Sequence, residues 1–241
     1  LNTFGAAAGT LAAALVLIPG IGNMRTTLII ATINVAIGLF ALWLSERTEQ
    51  GAGRETGVFS SVEETANSNS AAGRLVLLTL AVSGFVSMMY EVSWTRALSA
   101  MIGSSTYAFS IMLVTFLTGI ALGSSIVSRW KPKATMRLLG LLQVGVALGG
   151  LVFLVGYLLA PYAIIALIRG FYYTFPAILT IQFILCSGLM ILATLSMGAT
   201  FPVASQLYSS KLTILGRSVG SIYSVNTVGA ILGSLLAGFV L

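Results

Sequence analysis

Seven long, almost uninterrupted apolar runs divide this sequence and constrain its fold more than any other feature. A helix that crosses the hydrocarbon core of a bilayer needs about 20 consecutive apolar residues. The runs are continuously apolar and lack the ten-residue alternation of barrel strands, so they predict helices. The predicted spans are 2–21, 26–45, 75–99, 105–128, 136–160, 176–199 and 217–241. The predicted fold class is therefore an all-α integral membrane protein with about seven transmembrane helices.

The composition excludes most kinds of enzyme active site. Only 7% of the residues are charged, against about 25% in an ordinary globular domain. The six acidic residues are all Glu and there is no His, which excludes Ser-His-Asp triads, histidine-ligated metals and Asp-bound magnesium. The single Cys186 allows no intrachain disulfide. We expect no catalytic residue, no metal site and no cofactor within this chain.

The distribution of Lys and Arg predicts the orientation. Nine of the twelve basic residues fall in alternate connections, namely 46–74, 129–137 and the segment between the last two spans. Basic residues are retained on the cytoplasmic side, so we place 46–74 and 129–137 in the cytoplasm. The stretch 46–74 is rich in Gly, Ser, Glu and Asn and predicts a flexible linker. Since the basic residues are scattered at helix ends, no nucleic acid partner is expected.

An internal repeat gives the organisation. Residues 1–17 match residues 225–241, and both copies contain the pattern NT-x-GA-x-x-G. The offset contains six helices, so both copies cross the membrane in the same direction, as in a parallel repeat of six-helix units. Residues 1–45 are then the last two helices of one unit and residues 75–241 the first five of the next. We expect the chain to be a segment of a longer protein.

The repeat also predicts helix-packing residues. Glycines four apart share one side of a helix and let a second backbone approach closely. An Asn in lipid is expensive unless it bonds a neighbouring helix. A glycine-lined substrate path is the alternative interpretation of the same faces. The predicted packing residues are Asn2, Gly5, Gly9, Gly119, Gly123, Asn226, Gly229 and Gly233.

Glu91 is the only acid outside the segment 46–64, and it lies in the apolar run SGFVSMMYEVSWTRALSAMIG. Placing an unpartnered charge in a membrane costs about 2.5–3.5 kcal/mol or more, so Glu91 is a candidate functional residue. Arg96 is the obvious partner, although five residues rotate a helix by about 140°. Two interpretations stay open: a structural ion pair or hydrogen-bonded Glu, or a ligand site for a cation or proton flanked by Tyr90 and Trp94.

Two prolines predict helix boundaries. Pro161 predicts the end of the fifth span and a short interfacial helix after it. Pro202, in GATFPVASQL, predicts the point where the sixth span breaks. The break is interpreted as an exit from the membrane or as a discontinuous helix.

Three stretches in this order carry a family resemblance: SGFVSMMYEVSWTRALSAMIGSSTYAFSIMLVTFLTGIALGS, GATFPVA and GRSVGSIYSVNTVGAILGSLLAGFVL. Together they resemble the membrane region of the bacterial fused proteins described as MFS/spermidine synthase. The resemblance implies the bacterial cytoplasmic membrane and a soluble aminopropyltransferase-like domain that binds decarboxylated S-adenosylmethionine and a polyamine. This chain has no strand-GxGxxG-helix unit. Only the motif around Tyr90, Glu91, Trp94, Thr95 and Arg96 matches, and no catalytic residue carries over.

Three functions follow as hypotheses. The first is a membrane anchor or scaffold of a spermidine synthase-like protein, or a subunit of a larger membrane complex, with the bilayer and other transmembrane helices as partners. The alternative is an MFS-like transporter of a cation such as a polyamine that uses Glu91. The third, an intramembrane enzyme, has the least support because the chain carries so few chemically active side chains.

Overall fold

A computed structural model of the protein describes residues 2–51, 71–170, 174–208 and 215–240. These residues are almost entirely helical, and no strand occurs among them. The helices are α1 (Asn2–Ala12), a π-helical segment (Ala13–Leu17), α2 (Ile18–Ile21), α3 (Asn23–Gly51), α4 (Ala71–Ile102), α5 (Thr106–Trp130), α6 (Met136–Gly170), α7 (Phe175–Tyr208) and α8 (Leu215–Phe239). The predicted all-α class is confirmed.

Seven helical stretches among the described residues are long and apolar enough to cross a membrane. They are Thr3–Ile21, Asn23–Phe40, Gly73–Ile102, Thr106–Trp130, Met136–Ala166, Phe175–Tyr208 and Val219–Phe239. Each overlaps one of the seven spans predicted from hydropathy. The structure is compatible with a multi-pass membrane protein.

The helices are longer than the predicted spans at several ends. Neither proline ends its helix: α6 continues through Pro161 to Gly170, and α7 continues through Pro202 to Tyr208. Both predicted breaks are therefore wrong, because long membrane helices tolerate a proline where neighbouring groups and local adjustments satisfy the freed backbone. Helices α3 and α4 also extend into the two ends of the predicted linker. The rest of that linker, 52–70, lies outside the described residues.

The chain divides into two compact units, Leu1–Leu11 with Ala66–Leu241, and Ala12–Thr65. In the second unit, Gly22 separates α2 from α3 with a φ of 81°. This positive φ favours glycine because a Cβ would be strained there.

Within the larger unit, α7 packs against both α5 and α6, and α4 packs against α8. Two clusters of buried side chains fill the space between these helices. One contains Trp94, Phe116, Phe153 and Met190, and the other contains Val76, Leu80, Val203 and Ile222. The clusters lie toward opposite ends of α4, so the core extends along the length of the helices.

Hydroxyl groups inside the apolar helices are satisfied locally. Thr115, Thr194 and Thr200 are buried, and each donates its hydroxyl to the backbone carbonyl four residues earlier at 2.8–3.0 Å. Such bonds remove the cost of a free hydroxyl in an apolar interior without requiring a second helix.

Candidate functional site

The interface between α4 and α8 is built on glycines from both helices. The Asn226 carbonyl and Oδ1 lie against Gly84, Gly229 lies against the backbone of Ala81, and Gly233 lies against the backbone of Phe85. A Cβ at any of the three glycines would overlap these atoms. Gly229 lies beside Ala81, Gly233 beside Phe85, and the carbonyl of Ala237 beside Arg96. Because the numbers rise together in these pairs, α4 and α8 run parallel. The structure thus brings Asn226, Gly229 and Gly233 together at one helix contact.

The second predicted glycine pair also lies at a helix contact. Gly119 of α5 lies against the Thr194 side chain, and Gly123 lies against the backbone of Leu195. The approach is reciprocal, because Gly198 of α7 lies against the backbone of Ile120. Backbone contact of this kind is how helices associate in lipid. Atoms of the neighbouring helix occupy the space beside these glycines, so the glycines do not line an open path.

The first copy of the repeated pattern has a different environment. Gly5 and Gly9 are exposed, and a Cβ at either would meet nothing within 4 Å. The side chain of Asn2 lies outside the described residues. A packing role for these three residues stays a prediction.

Sequence reasoning missed a third glycine interface, between α6 and α7. Gly145, Gly149 and Gly156 lie against Ser196, Ala193 and Leu189 respectively. As the α6 numbers rise the α7 numbers fall, so the two helices are antiparallel. The four-residue spacing of Gly145 and Gly149 was the available signal, and it is the same spacing that identified Gly119 and Gly123.

Arg96 binds a neighbouring helix instead of the carboxylate on its own helix. Its guanidinium donates from Nη1 to the carbonyl of Ala237 at 3.2 Å and from Nη2 to the carbonyl of Gly238 at 2.9 Å. Both carbonyls lie in the last turn of α8 as the structure describes it. One guanidinium on α4 therefore binds two successive carbonyls of α8. Within the described residues, no ion pair joins Arg96 to Glu91.

Glu91 lies in the middle of α4 and is half-buried. Its backbone carbonyl accepts the hydroxyl of Thr95 at 2.6 Å. Among the described residues, no side chain donates to its carboxylate. Glu91 is also the only acidic residue between residues 71 and 240. It is therefore the one carboxylate in this part of the chain that could bind a cation.

An open cavity of about 380 Å³ begins one turn further along α4. Its hydroxyl-bearing lining residues are Thr95, Ser99, Ser104, Ser105 and Thr106. The three-residue connection from α4 to α5 forms its rim, with Gly103 at a φ of 93°. Ser105 begins α5 by accepting the Ala108 N–H at 3.1 Å. Phe109 and Met112 complete the lining, so the cavity presents hydroxyl groups beside apolar side chains. Thr95 links it to the turn of α4 that carries Glu91.

Tyr90 and Trp94 belong to an aromatic stack that joins α4 to α6. The ring centroids of Tyr90 and Trp94 are 4.6 Å apart, those of Trp94 and Phe153 are 4.6 Å apart, and those of Phe153 and Tyr157 are 6.0 Å apart. The Tyr90 side chain packs against α6 at Gly150, where a Cβ would overlap its hydroxyl and ring. Because the rings cover one another's faces, the stack packs the helices and leaves no open aromatic cage for a cation.

The chain matches no protein-family model, no curated protein and no solved structure. Within the described residues there is also no group of three or more metal-ligating side chains. A relation to the spermidine synthase-fused membrane region therefore rests on the sequence motifs alone and is a proposal.

Proposed function

We propose that this chain is a membrane-embedded anchor or scaffold, which holds either a spermidine synthase-like domain of the same protein or the other subunits of a membrane complex, in the bacterial cytoplasmic membrane. Catalysis then takes place outside these helices. The observation that carries the proposal is the glycine-mediated contact of α4 with α8, reinforced by Arg96 at the end of α8.

The packing of the larger unit supports a static role. Three helix pairs meet backbone to backbone, at α4–α8, α5–α7 and α6–α7. Interiors packed this closely are not continuously deformable, since a small shift of one helix produces overlap. A rigid bundle suits an element that positions something else.

The test uses the full chain with a soluble fluorescent reporter fused after Leu241. Wild-type protein should retain the reporter in the membrane fraction after alkaline extraction and should migrate as one species in mild detergent. The variant Gly229→Leu with Gly233→Leu should unfold at a lower temperature and lose that single species, because leucine cannot fit against Ala81 and Phe85. Gly220→Leu on the same helix is the matched control, since a Cβ there meets nothing within 4 Å. Equal behaviour of both variants contradicts the scaffold proposal.

Transport of a cation such as a polyamine is the second candidate. It is favoured by the half-buried Glu91 carboxylate, which has no partner among the described residues, and by the cavity next to Thr95, which carries several hydroxyl groups. An intramembrane carboxylate is costly to keep without a function. In this proposal Glu91 attracts the cation after it enters through the hydroxyl-lined cavity.

Uptake of radiolabelled spermidine into proteoliposomes tests this candidate. Glu91→Gln should abolish uptake and Glu91→Asp should keep part of it, with the same amount of folded protein inserted in each case. Ala100→Gln, at an exposed position of the same helix, controls for a polar change in α4. No uptake by the wild type, or undiminished uptake by Glu91→Gln, removes the transport candidate and leaves the scaffold proposal untouched.

A further inference from the structure

Four cationic side chains lie in the short turn between α5 and α6 or in the helix ends next to it. Arg129, Lys131, Lys133 and Arg137 are all exposed. In the described residues from 71 to 240 the only acidic side chain is that of Glu91, which lies in the middle of α4. No carboxylate in this part of the chain neutralises the cluster. The four exposed positive charges are therefore accessible to an anionic partner.

The backbone holds this cluster at the boundary of two apolar spans. Lys131 ends α5 in the left-handed conformation, with φ 45° and its N–H bonded to the carbonyl of Val127 at 2.9 Å. Thr135 begins α6 by accepting the Leu138 N–H at 3.1 Å. The spans Thr106–Trp130 and Met136–Ala166 therefore end and begin on either side of the turn. In a bilayer that depth is the level of the lipid headgroups.

Two details distinguish this turn from a merely solvated loop. Arg137 lies in the first turn of α6, where the partial positive charge of the helix N-terminus opposes a cation and favours an anion. Trp130 is 80% exposed beside the cluster. An exposed indole is typical of the membrane–water interface, where the ring meets both acyl chains and headgroups.

We propose that the segment 129–137 is a binding surface for the headgroups of anionic phospholipids in the bilayer that the helices cross. The four cations pair with the lipid phosphates, and Trp130 lies alongside the glycerol region. Clusters of basic residues next to a membrane span attract anionic lipid in this way.

The experiment counts lipids bound to the full chain in detergent by native mass spectrometry, with phosphatidylglycerol and phosphatidylcholine as probes. Wild-type protein should bind phosphatidylglycerol about tenfold more tightly than phosphatidylcholine, and added salt should weaken the preference. Replacing all four cations with Gln should remove the preference and leave phosphatidylcholine binding unchanged. The charge-preserving variant Arg129→Lys with Arg137→Lys should keep most of it.

The matched control removes the same net charge elsewhere, by replacing Arg25, Arg74, Arg169 and Arg217 with Gln, and should keep the preference. An equal loss in the control, or competition by soluble glycerol phosphate as effective as by lipid, overturns the proposal. If the four-Gln variant does not fold, brominated phosphatidylglycerol in wild-type proteoliposomes decides the question. It should quench Trp130 more strongly than brominated phosphatidylcholine does, and Trp130→Phe should remove that difference. Equal quenching by the two lipids contradicts the assignment.

Discussion

Gly119 of α5 lies so close to Thr194 of α7 that a methyl group at residue 119 would overlap the threonine hydroxyl. That hydroxyl is already bonded to the carbonyl of Met190 within α7 at 3.0 Å. The glycine is thus matched to a buried side chain whose position is fixed by its own helix.

Gly119→Ala is expected to lower the free energy of unfolding by about 1–3 kcal/mol, the usual cost of overpacking. Thr194→Ala in the same chain should recover part of the loss, because it removes the hydroxyl but leaves the Cβ. Unfolding by SDS titration measures all three variants as a double-mutant cycle. Gly188→Ala on α7 is the control, since a Cβ there meets open space. Additive losses in the cycle would contradict the contact.

Gly123→Ala should behave differently from Gly119→Ala, although it lies one turn away on the same helix. A Cβ at residue 123 would meet the backbone of Leu195, which no side-chain substitution removes. We expect a loss of about 1–3 kcal/mol in the free energy of unfolding. Leu195→Ala should give no rescue in the same titration. Recovery of stability in that double variant would show that the helices meet through side chains.

Arg96→Gln is expected to loosen the last turn of α8, since the guanidinium bonds to Ala237 and Gly238 are lost. Hydrogen bonds from a charged donor contribute about 1.5–3 kcal/mol each. Hydrogen exchange should therefore become faster in residues near the end of α8, with little change in α6. Glu91→Gln distinguishes the two interpretations of Arg96. It should leave exchange in α8 unchanged, whereas an ion pair between the two residues would make both variants equally disruptive.

Phe153→Ala is expected to destabilise the larger unit by about 3–5 kcal/mol, the range for deleting a buried aromatic ring. Phe153 is 7% exposed and stacks on Trp94, so its loss should also shift the Trp94 fluorescence emission to longer wavelength. Phe183→Ala on α7 is the control, because Phe183 is 42% exposed. Equal losses of stability from the two substitutions would contradict the role of the stack in joining α4 to α6.

Hydropathy predicted the seven long apolar helices because a helix satisfies its backbone within itself, so the signal is local. It failed at Pro161 and Pro202 because the groups that compensate a proline come from the surroundings. The helix ends were less predictable than the spans, because α3 and α4 continue into polar residues that a hydropathy threshold excludes.

The candidate site was less predictable because it depends on which helices meet. Gly5 and Gly229 occupy the same place in a repeated pattern, yet Gly5 is exposed and Gly229 lies against Ala81. Spacing identifies the face of a helix that can be approached closely, and only the fold supplies the partner. Arg96 shows the same limit, since the carbonyls that it binds lie 141 and 142 residues along the chain.

The proline that α7 carries without ending has a mechanical consequence. Pro202 has no N–H to give to the carbonyl of Gly198, so the hydrogen-bond ladder of α7 has its weak rung there. Gly198 is also where the backbone of Ile120 lies against α7. The place where α7 would bend most easily therefore packs directly against α5. For α7 to bend there, the backbone of Ile120 would first have to move away from Gly198.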